Sequence, residues 1–318
     1  NVFRINSKLS LVPGFRFEYI DTQVDGIFTN TIRINAFGDF IEEEIAEVSE
    51  SQRTVFLYGL GLSNKFNDSY ELYANATSNY RAINFTDVQI QSNIQVVDPE
   101  IRDESGYSFD IGLRKRNYTP FFIEAGLFYI LYDNRIGEVI DDGLRVRTNI
   151  GAARIFGAEL YFEIDLLQAL KKESKHKISW FVNGSVNRGT YTRINNRALV
   201  GVRTGNRLEE LPAYNIKSGV AYGIGKLSTS LQSTWVGNQY SDAANTENAF
   251  VGVLGVVPSY HVVDLSIRYD VSEVTKLSFN LNNALNTFYF TRRATSYPGP
   301  GIIPALGRVW NVTLGVKL

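Results

Sequence analysis

Five arginines fall within one short stretch, "RGTYTRINNRALVGVRTGNR": Arg188, Arg193, Arg197, Arg203 and Arg207. A guanidinium is permanently charged and presents a planar fork of donors, so it grips carboxylates and phosphates at two points, which a lysine does not. Such a cluster suits an anionic ligand, or the phosphates of a charged lipid, or pairing with Glu209, Glu210 and their neighbours. Arg292 and Arg293 open a second polar stretch. Arg81 joins them by parity, because Glu71, Tyr73, Asn75, Thr77, Asn79 and Arg81 form one polar face of "YELYANATSNYR".

No other residue set points to a reaction. The two histidines, His176 and His261, are too few and too separated for a histidine metal site. With no cysteine there is no disulfide framework, no Cys-ligated zinc or iron–sulfur site and no thiol nucleophile. "YGIGKL" and "GLGLSNK" lack the spacing of a phosphate-binding loop. The acidic run "EEEIAE", Glu42 to Glu47, lacks the alternating ligands of a calcium loop and reads as a solvated loop. The expectation is therefore a protein that is not an enzyme and holds no cofactor. A formal net charge of -1 gives no basic excess to neutralise phosphates, so no nucleic-acid partner is expected. The chain has no methionine, so Asn1 is not a translational start and the sequence is expected to be a processed or truncated piece.

The elements that must position these arginines are strands. In "LSLVPGFRFEYID" Leu9, Leu11, Phe15, Phe17 and Tyr19 alternate with Ser10, Gly14, Arg16 and Glu18. "LSFNLN" sets Leu277, Phe279 and Leu281 against Ser278, Asn280 and Asn282, and "VWNVTLGVKL" repeats the pattern. About a dozen such segments of roughly ten residues recur, the span and alternation of transmembrane strands. Helical periodicity is nearly absent outside "DLLQALKKE". No run of about 18 apolar residues marks a membrane helix.

Connections alternate in length. Short ones, rich in turn formers, lie at Asn6-Ser7, Asn67 to Ser69, Asn117 to Pro120, Gly225-Lys226 and Ser272 to Thr275. Long polar loops are expected at about 22–53, 84–104, 133–147, 192–208, 239–257 and 293–306. A soluble sandwich or propeller would also alternate hydrophobicity, but tight turns at one end and long loops at the other are the habit of an outer-membrane barrel. Tyr19, Tyr107, Trp180, Tyr222, Trp235, Tyr269 and Trp310 sit on the apolar parity near strand ends, where a ring with a polar tip suits the lipid boundary.

The C-terminal stretch "NLNNALNTFYFTRRATSYPGPGIIPALGRVWNVTLGVKL" resembles the end of TonB-dependent outer-membrane receptors, although that family usually closes on an aromatic residue and this chain ends in Leu318. "LVPGFRFEYID", "TNIGAARIFGAELYFEIDLL" and "ELPAYNIKSGVAYGIG" resemble its barrel strands. Within the family, "LYGLGLSNKFNDSYELYANATSNYRAINFTDV" and "VDPEIRDESGYSFDIGLRK" are most similar to receptors of the ferric citrate type.

The resemblance implies an all-β transmembrane antiparallel barrel. Residues 1–318 would be the C-terminal portion, about 13 strands of a 22-stranded plugged barrel, with the plug domain and first strands outside this chain. It implies active uptake of a ferric chelate such as ferric citrate or another siderophore, with iron only as part of the cargo. The partners implied are the TonB complex through the plug, the chelate, and outer-membrane lipid and lipopolysaccharide. For an anionic chelate, Arg81, Arg193, Arg197, Arg203, Arg292 and Arg293 are the candidate ligand contacts. Another cargo such as cobalamin or an oligosaccharide, or a passive porin or adhesin barrel, is the alternative.

Overall fold

A strand with period-two alternation has two chemically distinct faces, and this chain builds almost its whole fold from such strands. The computed structural model describes residues 1–33, 40–88, 95–141, 144–195, 201–248, 252–294 and 301–317. In chain order the strands begin with β1 (Phe3–Arg4), β2 (Leu9–Arg33), β3 (Phe40–Lys65) and β4 (Tyr70–Arg81). A helical turn α1 (Phe85–Val88) and the short β5 (Gln95–Val97) precede β6 (Glu104–Lys115), β7 (Phe121–Asp141) and β8 (Leu144–Asp165). A second helical turn, α2 (Leu166–Ala169), leads to β9 (His176–Ile194), β10 (Tyr214–Ile224) and β11 (Leu227–Val236). The remainder is β12 (Gln239–Tyr240), β13 (Val256–Val257), β14 (Tyr260–Asp270), β15 (Thr275–Asn282), β16 (Phe290–Ala294), β17 (Gly301–Pro304) and β18 (Val309–Val316).

Thirteen of these strands form one path of sequential antiparallel neighbours, from β1 through β2, β3, β4, β6, β7, β8, β9, β10, β11, β14 and β15 to β18. The expected strand number is met. β5 adds to β8 in parallel, while β12 with β13 and β16 with β17 make small hairpins of their own. Within the described sheet β1 and β18 pair on one side only. No helix is long and apolar enough to cross a membrane, which says nothing of a β-barrel.

The register aligns like with like. Val220, Leu231, Leu265, Leu281 and Trp310 are directly opposed across five strands. One position away, Ser179, Ala221, Ser230, Ser266, Asn280 and Asn311 form an uncharged row that is polar except at Ala221. Ser266 Oγ donates to Asn280 Oδ1 at 2.8 Å, and Asn280 Nδ2 to Asn311 Oδ1 at 3.0 Å. A one-residue slip would exchange the two faces, so the pattern itself locks the register. Two ion pairs lie on the polar face, Arg16 with Glu18 at 2.7 Å and Arg114 with Glu124 at 2.6 Å. On the apolar face large side chains stay exposed, Phe15 at 82% and Trp310 at 66%.

Aromatics border that face at both ends. Tyr19, Tyr58, Tyr107, Tyr129, Trp235 and Trp310 lie toward the long connections, and Trp180, Tyr222 and Tyr269 toward the short ones. Trp180 Nε1 donates to Ser218 Oγ at 2.9 Å, and His176 Nδ1 lies 2.8 Å from the Tyr222 hydroxyl.

Side chains close the short connections by bonding their own backbone. Asn6 Oδ1 accepts from the backbone N–H groups of Lys8 and Leu9, and Asn67 Oδ1 from those of Ser69 and Tyr70. Gly225, at φ 53°, supplies the left-handed residue of the two-residue β10–β11 turn. The "DLLQALKKE" helix is a single turn: Asp165 Oδ1 caps α2 by accepting from Leu167 N and Gln168 N at 3.1 and 3.0 Å.

Two expected loops are corrected. Most of 22–53 is a continuous hairpin, β2 pairing with β3 from Leu9–Asn64 out to Arg33–Phe40. Most of 133–147 is the paired ends of β7 and β8. Beyond the apolar band a strand needs no dry face, so its ladder persists after the alternation that would reveal it has gone.

Candidate functional site

The packed core lies at the long-connection end, where chain folds onto the polar face of β7 to β9. Ile150 and Tyr191, at 0% and 1% exposure, gather Val139, Ala153, Val202, Leu208 and Ala243 into one cluster. Around it stand the arginines.

Arg81 ends the polar face of β4, opposite Glu104, as parity predicts. Its Nη1 lies 3.0 Å from Glu104 Oε1 and its Nη2 2.8 Å from both carboxylate oxygens of Asp87. Arg147 completes the clamp, with Nη1 3.0 Å from Asp87 Oδ1 and Nη2 2.8 Å from Glu138. Asp87 itself is 0% exposed. Asn84 N donates to Asp87 Oδ2 at 3.0 Å, and Asp87 N to Asn84 Oδ1 at 3.1 Å, a reciprocal cap on α1. A buried carboxylate is tolerated here because three donors, Arg81 Nη2, Arg147 Nη1 and Asn84 N, make four hydrogen bonds to it.

The returning segment is fixed twice more. Asp103 takes a hydrogen bond from Ile83 N at 2.8 Å, pairs with Arg53 and accepts from the Tyr80 hydroxyl. Burial, then the Asp103 hydrogen bond and charge, push the Tyr80 hydroxyl up to about 12. Asn149 of β8 clasps Arg102, accepting from its N–H at 2.6 Å and donating to its carbonyl at 2.8 Å. On the other side of the core, Glu209 accepts from Arg135 at 3.1 Å and from the Tyr191 hydroxyl at 2.9 Å. Burial and the Glu209 charge raise the Tyr191 hydroxyl above its ordinary range.

The remaining candidates do not converge. Arg193 pairs with Asp133 at the rim, both at least half exposed. Arg293 donates to the carbonyls of Gly252 and Val256 at 2.6 and 2.9 Å and stands over the Phe290 ring, so it braces the connections. Arg207 stands over Tyr240, 5.9 Å from the ring centre. Arg203 and Arg292 are exposed and make no ion pair among the described residues. Arg197 lies outside the described residues, and of the Glu42 to Glu47 run only the β3 backbone is described. Sequence reasoning missed Arg53, Arg135, Arg147 and Asp87. The Asn84-x-x-Asp87 spacing was an available signal for a helix cap, whereas Arg135 and Arg147 fall in the stretch read as loop.

The arrangement holds carboxylates in guanidinium forks at several places around one mouth. Among the described residues no group of three or more His, Asp or Glu is placed to hold a metal.

A family model described as TonB dependent receptor-like, beta-barrel matches residues 1–284. The fold is similar to a ferric citrate transporter, FecA, in its unliganded form, with TM-score 0.75 and 20% identity over 98% of this chain and 43% of that one. It is also similar to the ferric yersiniabactin uptake receptor FyuA from Yersinia pestis, with TM-score 0.76 and 17% identity over 99% of this chain and 44% of that one. A copper transporter, OprC, is similar at TM-score 0.74 and 17% identity, over 99% of this chain and 46% of that one. The chain thus spans less than half the length of these structures.

Proposed function

The chain belongs to the TonB-dependent receptor β-barrel family, and on that premise we propose that it forms part of an outer-membrane receptor importing an anionic ferric chelate, citrate-like in its carboxylates. The observation that carries the cargo class is Asp87: the mouth already recognises a carboxylate by two arginines at 2.8 and 3.0 Å. A chelate rich in carboxylates offers the same groups to the exposed Arg203 and Arg292, and competes with Asp133 for Arg193. Iron enters as cargo.

In this reading the apolar face meets lipid and the polar face lines the lumen. A barrel wall satisfies its backbone hydrogen bonds between strands, which is the condition for spanning hydrocarbon. Paired charges such as Arg114 and Glu124 are then confined to the watered side. Ligand binds at the mouth, and the TonB complex acts through a plug carried by the whole receptor.

Titration of the complete receptor with ferric citrate, and with a neutral ferric hydroxamate as comparison, tests this. Ferric citrate should bind more tightly, and Arg203→Ala with Arg292→Ala should weaken it roughly tenfold or more while leaving the hydroxamate unaffected. Equal affinity for the two chelates would sink the cargo assignment.

A further inference from the structure

We propose that the free edge of β3 above the barrel is a docking strip for an extended, lysine- or arginine-rich segment of a partner protein, which adds to it as a further strand; the proposal rests on the membrane reading above. β2 and β3 pair without a register shift through all 25 residues of β2, from Leu9–Asn64 to Arg33–Phe40. β4 leaves this hairpin early, its ladder with β3 ending at Gly59–Thr77. The Ser78 side chain then finishes the ladder, its Oγ accepting from Tyr58 N at 2.8 Å and donating to Tyr58 O at 3.1 Å.

Arg53, held by Asp103, is the last tie between β3 and the neighbouring connection. Beyond it, from Gln52 to Phe40, β3 pairs with β2 alone among the described residues. At about 3.3 Å per residue this leaves roughly 40 Å of strand whose outward N–H and C=O groups have no ladder partner. An edge of that length is ordinarily blunted by a proline, a bulge or a covering element. Here no proline lies between Phe40 and Gln52, and the register runs straight through. The strip also stands clear of the bilayer, because the outer aromatic border reaches Tyr19 and the ribbon continues for fourteen further pairs, Ile20–Arg53 to Arg33–Phe40.

What the edge carries instead is charge, and the charge chooses the occupant. Residues 21–52 hold eight acidic residues against Arg33 alone, whereas the whole chain has a formal charge of -1. Five of the eight, Glu42, Glu43, Glu44, Glu47 and Glu50, belong to the edge strand itself. Asp21, Asp25 and Glu50 are exposed. Like charges opposed across a new rung repel, so a second copy of β3 is refused, while a basic strand is attracted. The main chain of the added strand supplies the hydrogen bonds, and its alternate side chains supply the choice of partner by meeting Glu42, Glu44 and Glu50, which share one parity.

The complete receptor in phosphocholine nanodiscs is titrated with a dye-labelled nine-residue peptide of alternating lysine and valine, and binding is read by fluorescence anisotropy. The same peptide with every peptide nitrogen methylated keeps its charge and loses its ladder donors; it should bind roughly tenfold or more weakly. Glu42→Gln with Glu44→Gln and Glu50→Gln should weaken the unmodified peptide roughly tenfold. A receptor in which an Asn-Gly turn replaces residues 24–49 should lose the peptide while the heat-modifiable mobility of the barrel is kept. Equal affinity for the methylated peptide overturns strand addition, and undiminished binding by the triple variant or the shortened receptor overturns the site. An inserted receptor that binds neither peptide overturns the docking strip and leaves the membrane reading standing, whereas failure of the wild type to enter the bilayer overturns both.

Discussion

Asp87 Oδ1 and Arg147 Nη1 meet at 3.0 Å although sixty positions separate them in the chain. The contact ties α1 to β8, and Arg81 ties the same carboxylate to β4. Asp87→Ala leaves two guanidiniums around an emptied position and removes the cap on Asn84 N. We expect a local loss of about 2 kcal/mol, felt in residues 82–103 and not in the barrel. Limited proteolysis should cut that segment faster while the heat-modifiable mobility of the barrel on gels is unchanged; unaltered cutting would show that the clamp does not hold the segment.

Leu265 and Ser266 are chain neighbours on opposite faces, directly opposed on β11 by Leu231 and Ser230. Leu265→Arg should destabilise insertion by roughly 2 to 4 kcal/mol near mid-bilayer, and Ser266→Arg far less. Urea unfolding in lipid vesicles measures both. Equal tolerance would reverse or abolish the assignment of faces.

The Tyr73 ring lies across Gly112, where an added Cβ would come 2.4 Å from the ring. The same ring lies under the Arg114 guanidinium at 5.2 Å and reaches Glu124 with its hydroxyl at 3.3 Å. Gly112→Val must move Tyr73 and break this cluster, costing about 1 to 3 kcal/mol. The variant Tyr73→Ala with Gly112→Val should recover part of that loss, and a failure to recover would place the strain in the backbone.

Asp165→Ala removes the acceptor for two backbone N–H groups at the start of α2. The expected cost is about 1 kcal/mol, with Asp165→Asn close to wild type. Unfolding midpoints of the two variants decide it; identical losses would mean that the charge and not the cap matters.

The strand number, the apolar parity, the aromatic borders and the short turns were legible because lipid and water impose a strict alternation. "LSFNLN" needs no partner to show which side is wet. The mouth was less legible for the same reason. Asp21 and Gln52 are paired in the ladder, yet both are polar, so nothing in the composition separates a solvated strand from a loop. Among the arginines, Arg81 was found by parity, but its engagement with Asp87 depends on how residues 82–103 return, which no local pattern encodes. Arg293 was singled out as a charge, whereas its surroundings make it a hydrogen-bonding brace for two carbonyls.

The strand path has a kinetic side. Along the thirteen-strand path each strand pairs antiparallel with the next strand of that path, and β5, which adds to β8 in parallel, is the strand of the main sheet that stands off it. Loop closure for each pairing is therefore short and its entropic penalty low, so contact order stays small for so large a sheet. The wall can grow one hairpin at a time, but each addition carries forward an edge of unpaired N–H and C=O groups that hydrocarbon does not solvate. Assembly in the bilayer should accordingly be fast at every rung and limited by the last joint, where that travelling edge finally finds a partner.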